Sequence, residues 1–290
     1  MISVYVPLYN NAPWAESLEM LSGFEYIAMD NCSEDAGAKI LAGKGAKVFR
    51  HDENLGRIRN WASCVEHFLD TGGEWMKWLF AGDRLDPEAP QRLNRAIRAF
   101  PRACLIIGEY FIVEGPRRSR WSMFPETRLI EPEESMRLIA KHGNWFGAPV
   151  GQAFGHRALL NGYGFGELPW VADMYFCFTL ARSCPVLYLA EPVGEFHVSA
   201  RKYYSQQAGA LSSLLQESIV RYLAADALLE MNGDSLEHGR LVRSIEQYFI
   251  RDVLENRLDS GTDLALDKLS FKALCQAMTC KLRSKMAGSQ

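Results

Sequence analysis

The chain has 290 residues, 48% of them hydrophobic and 23% charged, which is enough for one large domain or two modest ones around a buried core. Its formal net charge of -3 gives no electrostatic case for nucleic acid as the main partner. Seven cysteines, Cys32, Cys64, Cys104, Cys177, Cys184, Cys275 and Cys280, form no C-x-x-C pair; this argues against a disulfide framework or a zinc site, and the chain reads as reduced and cytoplasmic.

The opening run "ISVYVPLY" has no basic leader and is interrupted by Pro7, so it predicts a strand and neither a signal peptide nor a membrane helix. No uninterrupted apolar run of about eighteen residues follows. "EYIAMD", "AKVFRH" and "EWMKWLF" read as further strands with amphipathic stretches between them, the β-α-β rhythm of a mostly parallel sheet. In "SEDAGAKILAGKG", Ser33 is the expected N-cap of a connecting helix that stops at a glycine. "NLGRIRNWASCVEHFLDTGG" places Ile58, Trp61, Val65 and Phe68 at helical spacing before a double glycine. After Pro87, "EAPQRLNRAIRAFP" predicts one more amphipathic helix and "ACLIIGEYFIVEG" a strand. Residues 120 to 200 read as a mixed region with long loops. Beyond about 205, "LSSLLQESIVRYLAADALLEM", "LVRSIEQYFIRDVLENRL" and "ALDKLSFKALCQAMTCKL" carry apolar residues three and four apart, as in a helical module with turns at "NGDS" and "DSGTD".

Ligands of parallel α/β sheets collect at the carboxyl ends of the strands. Here those ends read "PLYN", "DNCSED", "HDENLG" and "AGDRLDP", which brings an aromatic ring, amides, carboxylates and arginines towards one place. Asp83 and Asp86 in the last of these are each open to two readings, a ligand-binding acid or a turn cap, and Asp86 fits the cap better. A nicotinamide or ATP-driven reading has little support, because no G-x-G-x-x-G follows the first strand and no Walker loop is present.

The order and spacing of these motifs resemble a family 2 glycosyltransferase of the GT-A fold over roughly residues 2 to 200. The matching positions are Pro7, Tyr9 and Asn10; Asp30, Asn31 and Ser33; Asn54, Gly56, Arg59 and Asn60; the turn "AGDRLDP"; "FGHRALLNGYGFGE"; and "VADMYFCFTLA". The resemblance implies a GT-A domain over 1-204, with a nucleotide-sugar-binding part to about 115 and an acceptor-side part over 116-204, followed by a helical region over 205-290. It also implies transfer of a sugar from a nucleoside-diphosphate donor to a saccharide or other hydroxyl acceptor, as in polysaccharide assembly, by an inverting single displacement.

Within that resemblance, Asp83 is the last acid of a turn that holds Mn2+ or Mg2+, although Phe80 and Gly82 stand where acids are common. One carboxylate can suffice when donor phosphates and waters complete the octahedron. His197 resembles a downstream histidine near the metal, with Glu195 in a place often held by arginine. Tyr9 would stack on the base, and Asp30 and Asn31 would bond its edge. Arg57, Arg59 and Arg84 are the candidates for phosphate oxygens. Asp173 would take the acceptor proton from a helix start beside apolar surface, with a plain helix cap as the competing role. Trp145 and Trp170 are weaker acceptor candidates, more in keeping with core packing.

Two rival functions remain at this stage. One is a binding protein on the same scaffold that has lost turnover, which the reduced metal turn favours. The other is a nucleotidyltransferase, against which "VPLYNNAPWAE" lacks any glycine. The C-terminal helices could also meet a membrane surface through the basic end at Lys281, Arg283 and Lys285, with packing on the chain's own domain the simpler reading.

Overall fold

The computed structural model describes residues 1-166, 168-198 and 211-258. Its first strand, β1 (Ile2–Leu8), is buried along nearly its whole length, as an apolar run without polar alternation should be. It pairs in parallel with β2 (Phe24–Asp30) on one side and β4 (Trp75–Trp78) on the other, and β3 (Lys47–Arg50) extends β2. The connecting helices are α1 (Ala12–Ser17), α2 (Gly37–Gly43) and α3 (Arg57–Thr71). The double glycine ends α3 as predicted, with Gly72 left-handed at φ 67°.

After β5 (Arg84–Leu85) and α4 (Ala89–Ala99), the chain adds β6 (Leu105–Glu114), β7 (Arg117–Trp121) and β8 (Arg128–Ile130). Then come α5 (Pro132–His142), β9 (Gln152–Gly155), α6 (His156–Leu160), α7 (Ala172–Ala181), β10 (Val186–His197), α8 (Leu211–Asn232) and α9 (Ser235–Leu258). The ten strands form one sheet in the order β3-β2-β1-β4-β9-β6-β10-β5, with β7 on β6 and β8 on β10. β9 runs against β4 and β6, so β1, β2, β3, β4, β6 and β10 share one direction and the sheet is mostly parallel.

Two expectations change. Residues 120 to 200 hold strands and helices where long loops were expected: α5, α6 and α7 and the short β8 and β9 are broken up by glycines and prolines, and β10 runs on through Pro192 and Gly194. Ser33 is not the N-cap of α2. That place falls to Ala36, and the Ser33 hydroxyl accepts the Asn10 N–H instead, at 3.0 Å.

The chain sorts into two compact units that alternate along the sequence, where the sequence reading placed one boundary at 204. The first holds the sheet with α1 to α4 and α6. Its core includes Val4, Val6, Leu8, Leu18 and Leu41 under α1 and α2, and Leu93, Ile106, Leu187 and Val193 around α4. The second unit gathers α5, α7, α8 and α9. Between Ser218 and Leu228, α8 is buried on almost every side by α5, α7 and α9, so it is a core helix and not the striped surface helix that was predicted. α7 is likewise apolar nearly all round. Arg221 donates to the carbonyls of Ala140 and Lys141 at 3.1 and 3.0 Å, satisfying the C-terminal end of α5. Among the described residues no helix is long and apolar enough to cross a membrane. "DSGTD", "ALDKLSFKALCQAMTCKL" and the basic residues Lys281, Arg283 and Lys285 lie outside the described residues.

Candidate functional site

The parallel strands β1, β2 and β3 deliver their carboxyl ends to one edge of the sheet, and a short-range polar network ties those ends together. Asn31 N–H bonds the Leu8 carbonyl at 2.9 Å, and His51 N–H bonds the Asp30 carbonyl at 2.9 Å. Asn10, held at φ 50°, accepts Glu34 N–H at 2.8 Å through its side chain. That left-handed conformation suits asparagine and keeps the loop after β1 against the loop after β2. Asp35 fastens the same loops from below, accepting Ala12 N–H at 2.7 Å and Gly37 N–H at 2.9 Å.

Asp30 is 0% exposed and fully engaged: one oxygen accepts Ser33 N–H at 3.1 Å and the other pairs with Arg50 at 2.6 Å. Its geometry is that of an acid which shapes the loop, not of an exposed acceptor for a base edge. Asn31 accepts Leu55 N–H at 2.8 Å and donates to the Asn54 side chain at 2.9 Å, and Asn54 also accepts Gly56 N–H at 2.8 Å. Gly56 sits at φ 78°, where a side chain would be strained, and opens α3. Asn60 is buried, donating to the Met29 carbonyl at 3.2 Å with its oxygen 3.2 Å from His51. Pro7 lies within β1, and Tyr9, just past its end, is 43% exposed.

Arg59 and Arg84 are exposed, whereas the Arg57 guanidinium lies 5.0 Å over the Trp61 ring. Phe80 stacks on Trp61 at 4.6 Å and Phe165 meets its edge at 6.0 Å. The position where the resembled turn often carries an acid is therefore spent on aromatic packing. Phe165 and α6 come from "FGHRALLNGYGFGE", whose last residue, Glu167, lies outside the described residues.

Asp83 is held inside the fold. It is 4% exposed, its Oδ1 accepts His197 N–H at 3.2 Å, and its carbonyl accepts the Trp14 indole N–H at 3.0 Å. Burial pushes its carboxyl up to about 8, against the opposing pull of the His197 N–H and the Lys77 charge. Lys77, on β4, is itself 0% exposed, bonded to the Val150 and Gln152 carbonyls, and burial brings its ammonium down to about 7. The lysine inside "EWMKWLF" was the available signal, since a charged residue in a strand buried on both faces needs a partner. Asp86 is a turn cap, accepting Glu88 N–H at 2.9 Å.

His197 does not stand ready as a ligand, because its Nε2 is 2.9 Å from Glu195, which also pairs with Arg118 at 3.1 Å. Among the described residues no three His, Cys, Asp or Glu side chains group as a metal site. Asp83 and His197 thus fit a divalent cation only as minor ligands to an ion that arrives with a diphosphate, in the manner of Mg2+ bound mainly by phosphates and water.

In the second unit, Asp173 lies in the first turn of α7. Val171 is the N-cap residue, so the plain cap role does not fall to Asp173. Trp145 is buried, and Trp170 is half-buried with its N–H on the Gln216 side chain at 2.8 Å.

No protein-family model and no curated protein matches the chain. Solved structures do. Residues 1-349 of TarS from S. aureus match with a TM-score of 0.61 and 18% identity over 84% of this chain and 70% of that one. The same TarS region in complex with UDP-GlcNAc matches at 0.57 and 16%, covering 87% and 81%, while a longer TarS chain is covered over 49% of its length. A mannosyltransferase from Pyrobaculum calidifontis, in complex with GDP-Man and Mn2+, matches at 0.50 and 12%, covering 99% and 83%. These matches, together with the mostly parallel sheet flanked by helices, show that the chain has the GT-A fold.

Proposed function

We propose that the chain is a glycosyltransferase that moves a sugar from a nucleoside-diphosphate donor to a hydroxyl acceptor. The observation that carries this is the network joining the ends of β1, β2 and β3 on a GT-A fold, which prebuilds a polar ledge beside an exposed aromatic ring. Tyr9 presents its ring to the base. Asn10, Asn31 and Gly56 shape the walls, and Asp30 and Asn60 act from behind them as positioning residues. Arg57, Arg59 and Arg84 supply positive charge for the diphosphate, and guanidinium groups suit its paired oxygens.

A hard divalent cation held by Asp83, with His197, would stabilise the charge that grows on the leaving diphosphate. Burial pushes the Asp83 carboxyl up to about 8, so a cation bound there would displace a proton and would bind more tightly as pH rises. Asp173 is proposed as the base that takes the acceptor proton while the hydroxyl attacks the anomeric carbon, giving inversion in one step.

The test is Asp173→Asn with a panel of UDP-, GDP- and dTDP-sugars. Transfer should fall by a factor of roughly 10² or more with donor affinity nearly unchanged. Wild-type transfer in this variant would remove Asp173 from the mechanism. A second reading, a binding protein without turnover, is favoured by Phe80 being committed to Trp61. Donor binding by the wild-type chain without transfer or hydrolysis on any metal would select it.

A further inference from the structure

At the opposite end of the sheet from the polar ledge, two thiols meet that the proposed reaction does not use. Cys104 immediately precedes β6 and Cys184 lies two residues before β10, and these strands pair in parallel with Val186 opposite Leu105. Cys104 N–H bonds the Pro185 carbonyl at 3.0 Å, which holds the two strand starts side by side. A side-chain hydrogen bond joins Cys184 to Cys104, the Cys104 thiol also donates to the Arg102 carbonyl at 3.7 Å, each residue is 3% exposed, and the Arg157 charge of α6 acts on both thiols. The hydrogen bond from Cys184 and the Arg157 charge draw the Cys104 thiol below its usual range despite burial. The solitary buried thiols of Cys64 and Cys177 are pushed the other way by burial.

We propose that Cys104 and Cys184 form a peroxide-oxidisable dithiol that closes to a disulfide, a modification site separate from the transfer chemistry. The Cys104 thiolate attacks one oxygen of hydrogen peroxide, the O–O bond breaks, and the hydroxide leaves as water with the thiol's proton. The Cys184 sulfur then attacks the Cys104 sulfenic acid: the S–S bond forms, the S–O bond breaks, and the second hydroxide leaves as water with the Cys184 proton. Two thiols are oxidised by two electrons and one peroxide is reduced to two waters. Cys104 stands opposite Pro185, one residue from Cys184, where neighbouring strands run about 4.8 Å apart, which puts the two side chains within the range that a disulfide can span.

The full chain is exposed to stoichiometric hydrogen peroxide, its remaining thiols are alkylated after denaturation, and the peptides are mapped without reduction. The expected result is one cross-linked pair joining the Cys104 and Cys184 peptides, lost on treatment with dithiothreitol, together with a higher melting temperature of the oxidised chain. Cys64→Ser should leave the link unchanged, and Cys184→Ser should abolish it. Oxidation of Cys32 with both Cys104 and Cys184 still fully alkylated would overturn the proposal, as would Cys104 linked to any other cysteine. The wild-type map decides the matter even if a serine variant fails to fold.

Discussion

The end of β2 and the turn after β4 both bury an aspartate at the same edge of the sheet, and they treat it in opposite ways. Asp30 is given a guanidinium and a backbone N–H, one for each oxygen, within a network closed by Asn10, Asn31 and Ser33. Asp83 receives one backbone N–H and a lysine charge that is itself buried and bound to carbonyls. A carboxylate with partners for both oxygens can stay ionised inside a protein, whereas one without them holds its proton. The first arrangement serves to fix a shape. The second leaves an acid whose charge depends on what arrives.

The largest effect expected from this contrast is at Asp30. Asp30→Asn keeps the volume but turns an amide towards Arg50, so stability should fall by about 2–3 kcal/mol; the figure is below that for a fully buried pair because the Arg50 side chain is half exposed. Urea unfolding would measure it. A change under about 0.5 kcal/mol would show that the network does not depend on this ion pair and would break the contrast.

The contrast sharpens with pH. Asp83 rises from its ordinary 3.8 to about 8 in the folded chain, so between these values the fold binds a proton that the unfolded chain has lost. Its stabilisation is complete below pH 3.8 and is lost as pH rises through 8. Lys77 falls from 10.5 to about 7, so its effect has the other sign, and stability recovers between pH 7 and 10.5 as the unfolded chain alone keeps that proton. The pair therefore predicts a stability minimum near pH 7 to 8. Asp83→Asn should remove the falling limb, matching the wild type near pH 4 and exceeding it at pH 8. Unfolding midpoints of the two chains across this range check it, and parallel curves would mean that Asp83 is ionised throughout.

How much of this was legible in the sequence follows the same division. Strands β1, β2, β4 and β6 and helices α2, α3 and α4 were readable because their apolar runs or stripes are clear and stops such as Gly72 have a fixed backbone chemistry, whereas the two-residue β5 lies inside the acidic turn. Tyr9, Asn10, Asn31 and Gly56 could be placed at strand ends because a parallel sheet brings those ends together. What pattern could not give was the state of each group. Burial of Asp83 depends on Trp14, 69 positions earlier in the chain, and on the His197 backbone far downstream, contacts that leave no local signature. α8 was misread as striped because a helix that is apolar nearly all round also carries apolar residues three and four apart, so the spacing alone does not show that every side is enclosed.

The smallest effect on stability, and the most direct probe of function, is expected at Tyr9. The ring is 43% exposed, so Tyr9→Ala should change folding stability by no more than about 0.5 kcal/mol. A ring that stacks on a nucleobase contributes roughly 1–3 kcal/mol per base, so the same substitution should weaken binding of a nucleoside diphosphate by about 5- to 150-fold. Tyr9→Phe keeps the face and should keep most of the affinity, since stacking needs the π surface and not the hydroxyl. Titration of UDP and GDP into the three chains, with melting temperatures alongside, separates the contributions. Equal loss in Tyr9→Phe and Tyr9→Ala would assign the contact to the hydroxyl. Unchanged affinity in both would leave the polar network at the end of β2 as the whole nucleotide-facing surface, and the exposed ring would then have no part in donor recognition.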